Sequence, residues 1–266
     1  MIDLLIWQAS TEMLPAHFIP HGRPLIWAHR GASGEAAENT LAAFALALAQ
    51  GADGIELDAQ RCKSGEVVVI HDDSLARTTG LAALVVETPW TVLRTLDASA
   101  WKGKGFAGER VPLLSETFET FPGLVNVELK CDRADDRGLT REVVRVIRAA
   151  RAEERVLLSS FNPLCLFRAR RLAPGIPRAM LFESEQQWAL RSALAAPLVG
   201  ACAVHPEHVL ASPPRVARWA SRGYSVGCWT VDDVAEAERL YRSGVSGIIT
   251  NRPAPMRERW PAPRRA

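Results

Sequence analysis

Cysteine is scarce in this sequence, and its few cysteines are scattered along the chain. They are Cys62, Cys131, Cys165, Cys202 and Cys228. This spacing excludes a disulfide framework, and it excludes a zinc site because zinc sites use closely spaced cysteine pairs. Isolated thiols are typical of a reducing compartment, so we expect a cytoplasmic protein.

The sequence also lacks a long apolar run and a strong charge of either sign. No stretch approaches the ~20 apolar residues that span a bilayer, so we expect no stable insertion into a membrane. Residues 1–13 carry Asp3 and no basic run before their apolar residues, which makes them a poor signal peptide. The formal net charge of +2 is too small for a polyanion binder, so we expect no nucleic-acid partner. The oligomeric state stays open.

What the sequence does contain is an alternation of short apolar strands with helices. The predicted strands are 25–29, 54–58, 125–129, 156–159, 178–182, 201–204, 224–229 and 247–250. The predicted helices are 40–50, 115–121, 140–150, 162–172, 184–195, 212–221 and 231–243. Such alternation indicates parallel strands joined by helical crossovers. Eight such units predict an α/β protein with a (β/α)8 TIM barrel, and an open doubly wound sheet is the alternative.

Residues 59–114 interrupt this alternation. Residues 63–66 predict a turn that leads back into a further strand, and turn-rich and glycine-rich segments follow. We interpret 59–114 as a small insertion after the second strand of a single barrel domain that spans 25–253. Residues 1–24 form a lead-in that we expect to pack outside the fold, and 254–266 form a proline-rich tail that we expect to be loosely held.

Polar residues that a buried strand does not need stand at the exits of three predicted strands. They are His29 and Arg30 on the first strand, Glu56 and Asp58 on the second, and Glu128 and Lys130 on the third. Side chains alternate along a strand with a period of two, so each Glu-x-Asp or Glu-x-Lys pair lies on one face. The active sites of TIM barrels lie at the carboxyl ends of the strands, where we expect these residues to meet.

The three carboxylates predict a metal site. Glu56, Asp58 and Glu128 would repel one another inside a barrel mouth, and leaving them ionised there is costly without a counter-ion. A hard divalent cation with oxygen ligands, Mg²⁺ or Ca²⁺, resolves this repulsion, and zinc fits the donor set less well. The alternative is a network of ion pairs with Arg30 and Lys130.

Histidines supply candidate proton-transfer groups. His71 closes the predicted strand of the insertion, and alone it reads as an exposed loop residue. Paired with His29 across a metal, it becomes an acid/base partner for displacement at phosphorus, which needs a base on one side and an acid on the other. The roles of His205 and His208 stay open, since His205 could touch substrate or lie in a surface loop.

Together these residues resemble the glycerophosphodiester phosphodiesterase family, of the bacterial cytoplasmic type. The elements that carry the resemblance are His29-Arg30-Gly31, Glu38-Asn39-Thr40, Glu56-x-Asp58, His71-Asp72, Glu128-Leu129-Lys130, Ser160-Phe161, Trp229-Thr230 and Thr250-Asn251-x-Pro253. They occur in the family's order and cover nearly the whole chain. One departure is Ala37, where the family usually has proline.

The resemblance implies a fold, a reaction and a set of site residues. The fold is a TIM barrel with a small insertion after the second strand. The reaction is hydrolysis of a small-molecule glycerophosphodiester to sn-glycerol 3-phosphate and an alcohol, in which the glycerol 2-hydroxyl attacks first and water then opens a cyclic phosphate. The implied residues are metal ligands Glu56, Asp58 and Glu128, acid/base residues His29 and His71, and substrate or phosphate contacts Arg30, Lys130 and Trp229.

Two other functions compete with this one. A lysophospholipase D would use the same chemistry on lysophospholipids and would need an apolar groove, for which Trp90, Trp101 and Phe106 of the insertion are candidates. A non-catalytic barrel that binds phosphodiesters would have a broken site, whereas both histidines and all three carboxylates are present here.

Overall fold

The computed structural model describes residues 14–19, 22–103, 108–186 and 193–261. The strands in these residues are β1 (Leu25–His29), β2 (Gly54–Arg61), β3 (Val67–Val69), β4 (Leu124–Leu129), β5 (Val156–Ser160), β6 (Arg178–Phe182), β7 (Ala203–Pro206), β8 (Ser225–Cys228) and β9 (Gly247–Thr250). The α-helices are α1 (Leu41–Ala49), α2 (Ala76–Thr79), α3 (Trp90–Leu93), α4 (Leu114–Thr120), α5 (Leu139–Ala149), α6 (Pro163–Leu172), α7 (Pro213–Ala220), α8 (Val234–Arg242) and α9 (Pro253–Arg259).

Eight of the strands close into a parallel barrel. β1 pairs in parallel with both β9 and β2, so the first and last strands of the barrel seal its seam. Around the barrel the order is β1-β9-β8-β7-β6-β5-β4-β2, and β3 adds to β2 as an antiparallel neighbour. The predicted (β/α)8 TIM barrel is therefore confirmed, and an open sheet is excluded.

Each barrel strand has an outward and an inward face. Outward residues such as Ile55, Leu57 and Val127 pack with the helices in an apolar layer. Inward residues near the amino ends of the strands, such as Leu25 and Leu157, fill the barrel itself. Toward the carboxyl ends the inward positions become polar, so the barrel opens there into a polar mouth.

Side-chain caps set where several helices begin. Thr40 precedes α1, and its Oγ1 accepts a hydrogen bond from the backbone N–H of Ala43 at 3.2 Å. Asn162 caps α6 in the same way, through the N–H of Leu164 at 2.9 Å. These caps fix the loops that leave β1 and β5, which carry residues of the mouth.

The lead-in is part of the fold, so the expectation that it packs outside is wrong for the described residues. Leu14 and Phe18 are buried, and the Phe18 ring stacks on Trp27 with 6.2 Å between centroids. The amino-terminal end of the barrel would otherwise expose its apolar interior. Phe18 therefore covers this end of the barrel. Burying a phenylalanine side chain stabilises a protein by about 1.5–3 kcal/mol.

The insertion lies between β2 and α4, as predicted, and has a small core of its own. β2 continues beyond the barrel to Arg61 and forms a hairpin with β3. Buried residues of the insertion form a separate apolar cluster, which comprises Cys62, Val68, Ile70, Leu75, Val85, Leu93, Ala98 and Val111. This cluster gives the insertion a fixed shape beside the barrel mouth.

The first part of the tail is helical, so the expectation that it is loosely held is wrong for residues 253–260. Pro253 starts α9, where its missing N–H costs nothing because the first N–H groups of a helix have no partner within the helix. Met256 and Trp260 are buried against the barrel's outer layer. Residues 262–266 lie outside the described residues.

A clasp joins the two ends of the barrel domain at Asp53, the residue before β2. Arg23 Nη1 donates to Asp53 Oδ2 at 2.6 Å, and Arg257 Nη2 of α9 donates to Oδ1 at 2.8 Å. Burial opposes ionisation of Asp53, but these hydrogen bonds outweigh it and hold the pKa of the carboxyl below its usual value. The chain therefore enters and leaves the barrel at one carboxylate.

The helix predicted over 184–195 lies partly outside the described residues. Its described ends, 184–186 and 193–195, form turns. The N–H and hydroxyl of Ser184 both donate to Glu207 Oε2, at 2.8 and 2.5 Å, and so tie the start of this segment to the end of β7.

The strand predicted over 201–204 is shifted two residues toward the carboxyl end, which changes the place of His205. This histidine lies inside β7 and is buried, so the surface-loop interpretation is wrong. A Cβ on Gly227 of the neighbouring strand would lie 2.7 Å from His205 Cδ2, so only glycine leaves room for the ring. Burial lowers the pKa of His205 to about 4.

Candidate active site

The mouth of the barrel holds a cavity of about 320 Å³ at the carboxyl ends of the strands. Seven of the eight predicted site residues line it, and Asp58 lies buried directly behind two of them. The lining residues are His29, Arg30, Glu56, His71, Asn126, Glu128, Lys130, Phe161, Leu181, Glu183, Trp229 and Ile249. The structure thus brings together residues that the sequence spreads over 200 positions.

The three predicted carboxylates converge inside this mouth. Glu56 and Asp58 point inward from β2, and Glu128 points inward from β4, where Asp58 and Glu128 are direct register partners. One oxygen of each lies within 4.8 Å of the others, and all three side chains are buried. Alternation along the two strands is sufficient to place all three on one face.

Their electrostatics fit a divalent cation. Burial raises the pKa of Glu56 well above its usual value, and the neighbouring charges of Asp58 and Glu128 raise it further. Burial also raises the pKa of Glu128 to about 7. Burial and mutual repulsion thus oppose ionisation of Glu56 and Glu128 beside Asp58. The three carboxylates form a hard oxygen donor set, and a divalent metal would relieve their repulsion.

Two cations share the site with these carboxylates. Arg30 Nε lies 3.3 Å from Asp58 Oδ2, and Lys130 Nζ lies 3.0 Å from Glu128 Oε1. Burial opposes ionisation of Asp58, but Arg30 and Lys130 outweigh it and lower its pKa. The ion pairs weighed as an alternative do exist, yet they leave Glu56 without a full counter-charge, so the residues still fit a metal.

His29 ends β1 and is held by a chain of polar residues. Its Nδ1 lies 2.7 Å from Asn251 Oδ1, and Asn251 Nδ2 donates to Asp232 Oδ2 at 2.7 Å. An amide oxygen only accepts, so Nδ1 carries the hydrogen and the lone pair of Nε2 is free toward Glu56, 3.9 Å away. Burial, assisted by the charge of Arg30, lowers the pKa of His29 to about 4.

Gly31 shapes the turn that follows His29. It has a φ of +83°, and a Cβ there would lie 2.7 Å from the backbone carbon of Ala43. The glycine therefore allows α1 to pack against this turn. The carbonyl of His29 accepts from Ser33 Oγ at 2.7 Å, which fixes the turn from the other side.

His71 enters the cavity from the insertion. Its Nδ1 lies 2.6 Å from Asp72 Oδ1, which leaves Nε2 available to the cavity. Hydrogen bonds from Arg77, with His71 as a second donor, lower the pKa of Asp72 to about 2. Arg77 Nε donates to Asp72 Oδ2 at 2.6 Å and so fixes the carboxylate that orients the ring.

Glu38 connects this arrangement to the barrel. Its Oε1 accepts from Arg30 Nη1 at 3.0 Å and from Arg77 Nη2 at 2.7 Å. Asn39, the next residue, donates from Nδ2 to Asp58 Oδ2 at 2.8 Å. The Glu38-Asn39 pair therefore joins the predicted phosphate contact, a predicted metal ligand and the arginine that supports His71.

Sequence reasoning missed several residues that complete the site. Asn251 was recognised at the exit of the last strand, but no role was assigned to it. Asp232, Glu38 and Arg77 were assigned no role, because the Asp232–Asn251 and Glu38–Arg77 bonds join positions that are 19 and 39 residues apart along the chain. Glu183, at the exit of β6, is the kind of strand-exit residue that the same pattern could have found.

The comparisons with known proteins identify the family. Residues 29–255 match the model of the glycerophosphoryl diester phosphodiesterase family, to which the chain therefore belongs. The enzyme class predicted from the sequence, a phosphoric diester hydrolase, is confirmed by this membership and by the similar proteins described next.

Individual similar proteins match this chain over most of their own length. The chain is 37% identical to the glycerophosphodiester phosphodiesterase of Caldanaerobacter subterraneus subsp. tengcongensis, over 87% of this chain and 95% of the relative. Among solved structures, a phosphodiesterase from Oleispira antarctica in complex with the product sn-glycerol-3-phosphate has a TM-score of 0.83 and 30% identity, covering 91% of this chain and 97% of that chain. A putative glycerophosphoryl diester phosphodiesterase from Silicibacter pomeroyi has a TM-score of 0.80 and 27% identity, covering 91% and 95%.

Trp90 and Trp101 are the two candidates for an apolar groove that lie in the described residues. Trp90 packs against the insertion core, and the Trp101 ring has Arg77 and Lys102 5.6 and 5.7 Å from its centroid. Phe106 lies outside the described residues. None of the described helices is long and apolar enough to span a bilayer.

Proposed function

We propose that the protein hydrolyses glycerophosphodiesters to sn-glycerol 3-phosphate and an alcohol, with a divalent metal, Mg²⁺ or Ca²⁺, held by Glu56, Asp58 and Glu128. The observation that carries this proposal is the convergence of three buried carboxylates and two histidines on one cavity of about 320 Å³. The product complex of the similar Oleispira antarctica enzyme supports the same substrate class. Five free cysteines support a cytoplasmic location.

The metal would supply a Lewis acid that polarises the phosphoryl oxygens. Arg30 and Lys130 stand beside the carboxylates and would bind the same phosphate, since guanidinium and ammonium groups both recognise phosphate oxygens. Their cost of burial is already offset by the ion pairs to Asp58 and Glu128. Binding the phosphate therefore requires no further ordering of either side chain.

The histidines would move the protons. His29 has a free lone pair on Nε2 and a pKa of about 4, so it is a neutral base near neutral pH. It accepts the proton of the attacking hydroxyl as the new phosphorus–oxygen bond forms. His71, held through Nδ1 by Asp72, donates from Nε2 to the alcohol oxygen as the bond from phosphorus to that oxygen breaks, which leaves the cyclic phosphate formed by the glycerol 2-hydroxyl. Water then attacks phosphorus and gives a proton to His71, while His29 returns its proton to the 2-oxygen as the bond from phosphorus to that oxygen breaks. Both histidines thereby regain their starting states, and sn-glycerol 3-phosphate is released.

Glycerophosphocholine and glycerophosphoethanolamine are the substrates for the first test. Glycerol 3-phosphate release is measured with added Mg²⁺ or Ca²⁺, after EDTA treatment, and after the metal is restored. We expect EDTA to abolish release and metal to restore it, and we expect Glu128→Gln to stay inactive at any metal concentration. Activity that survives both chelation and His29→Ala would contradict the proposal.

A further inference from the structure

Gln60 is a buried residue of β2 that takes no part in the proton transfers described above. It stands two positions beyond Asp58, so its side chain leaves the strand on the same face as Glu56 and Asp58. Only 2% of the residue is exposed. A buried amide nitrogen without partners costs stability, so the bonds of this side chain show what it holds.

Three successive backbone carbonyls of the insertion surround the Gln60 amide nitrogen. Its Nε2 donates to the carbonyls of Ile70, His71 and Asp72 at 3.1, 3.0 and 2.9 Å. An amide nitrogen carries two hydrogens, so the three carbonyls share them. The backbone of these three residues therefore bends around one side chain of the barrel's second strand.

These bonds form where the ladder between β2 and β3 ends. The last register pair of the ladder joins Ala59 to Val69. The chain then leaves the sheet and carries His71 into the cavity. A carbonyl beyond the end of a ladder has no partner in the sheet, and here the Gln60 amide supplies one. The strand that carries two of the three carboxylates thus also fixes the backbone of His71.

The other contacts of His71 act on a different part of the residue. Asp72 bonds to Nδ1 and sets the rotation of the ring, but it belongs to the same segment and cannot place that segment against the barrel. Arg77 ties Asp72 to Glu38 from the solvent side, with 42% of its own side chain exposed. Gln60 holds the segment from the buried side, where water does not compete for the bonds.

We propose that Gln60 is a positioning residue for His71 and sets the distance over which His71 delivers its proton to the leaving alcohol. This inference rests on the proposed function, in which His71 is the acid. Gln60 does not line the cavity, so it acts on the reaction through the segment that it holds. Proton transfer requires close placement of donor and acceptor. Loss of the Gln60 bonds should therefore slow the departure of alcohols that need a proton and spare those that do not.

The test compares two esters of sn-glycerol 3-phosphate that differ in the leaving group. The choline alkoxide is a poor leaving group and needs a proton, whereas p-nitrophenolate is stable as an anion and leaves without one. The measured constant is kcat/KM for release of each alcohol, because it covers the steps up to that departure and not the later opening of the cyclic phosphate.

Gln60→Met keeps the volume of the side chain and removes its donors. We expect it to lower kcat/KM for glycerophosphocholine about 20-fold, which is part of the 10² to 10⁴ that a positioned acid contributes. For the p-nitrophenyl ester we expect a loss of less than about twofold, because the acid is not needed there. Once His71 is replaced by alanine, the same change at Gln60 should cost nothing further, since a positioning residue acts through the group that it positions.

Gln50→Met is the matched control, because Gln50 bonds to Glu35 at 3.0 Å on the exposed surface and should leave both constants as in the wild-type protein. The ratio of the two constants does not depend on the fraction of folded protein, so lower stability of Gln60→Met cannot imitate the expected result. Equal losses on both esters, or a further loss in the double variant, would overturn the positioning role and leave the proposed function intact. Release of neither choline nor p-nitrophenolate by the wild-type protein would overturn both.

Discussion

The two histidines of the site belong to regions of different character. His29 stands on a barrel strand, is nearly enclosed, and is held by the neutral amide of Asn251. His71 stands on the insertion, has 31% of its side chain exposed, and is held by the charged carboxylate of Asp72. His29 is thus part of the barrel itself, whereas His71 is carried by the insertion that lies beside the barrel mouth.

This difference in environment suits the two histidines to different steps of proton transfer. A buried histidine with a neutral partner stays unprotonated and suits a base. His71 is accessible, and Asp72 orients it through Nδ1 so that Nε2 can face a departing alcohol. The Arg30–Glu38–Arg77–Asp72 chain of hydrogen bonds spans the two regions. The barrel can therefore align the insertion's histidine without burying it.

The largest expected effect is the loss of either histidine. His29→Ala and His71→Ala should each reduce kcat for glycerophosphocholine about 10³-fold, because positioned general acids and bases contribute 10² to 10⁴. The measurement is steady-state kinetics at saturating metal, with circular dichroism as the control for folding. If only His29→Ala had this effect, the insertion would supply no proton-transfer group, which would contradict the division of roles between His29 and His71.

The next effect concerns the barrel's stability in acid. His205 has a folded pKa of about 4 against 6.5 for a free histidine. The unfolded state therefore binds the extra proton first. The part of the stability that His205 contributes is complete above pH 6.5 and falls by about 3 kcal/mol as the pH drops toward 4. Urea unfolding between pH 7 and 4 measures this loss.

His205→Gln should remove that part of the acid sensitivity. His208→Gln is the matched control, since His208 is half-exposed and pairs with Glu236 on the surface. An equal pH dependence of His205→Gln and the wild-type protein would show that the barrel's buried histidine does not govern its acid stability.

A smaller effect is expected from Asp72→Asn. An asparagine can keep contact with His71 Nδ1 but removes the charge and weakens the pair to Arg77. We expect kcat to fall about 30-fold with KM nearly unchanged, because the change acts on proton transfer more than on binding. A rise in KM with an unaltered kcat would indicate that Asp72 serves substrate binding instead.

The smallest effect in this series is that of Arg77→Ala, which breaks the connection between the two regions. We expect about a tenfold loss of kcat, since Asp72 and Glu38 lose a common partner but keep His71 and Arg30. Arg77 is partly exposed, so added guanidinium should restore part of the activity. Arg145→Ala removes a comparable surface pair with Glu142 and should change nothing.

Local patterns were enough to predict the barrel and the position of its charged residues. The period of two along β2 and β4 placed Glu56, Asp58 and Glu128 inward, and the helix predicted over 40–50 matches α1, which Thr40 caps. These inferences depend only on neighbours along the chain. They succeed because strand alternation and helix capping are local rules.

Contacts between distant segments could not be predicted in this way. The bonds of Asp232 to Asn251 and of Arg77 to Glu38 exist only once the barrel has closed. The prediction of a loosely held tail was wrong for a different reason. Prolines usually break a helix, but Pro253 stands in the first turn of α9, where proline is compatible with a helix. The same residue type has opposite consequences at the start and in the middle of a helix.

The clasp at Asp53 has a consequence for how the chain could be rearranged. Arg23 and Arg257 reach the same carboxylate from before β1 and from after β9, so the two segments that carry them are neighbours in space. A short covalent link between these segments, with new ends cut in an exposed helix–strand loop elsewhere, would yield a circular permutant that keeps the β1–β9 seam. The same barrel would then form although its eight strand–helix units are synthesised in a different order.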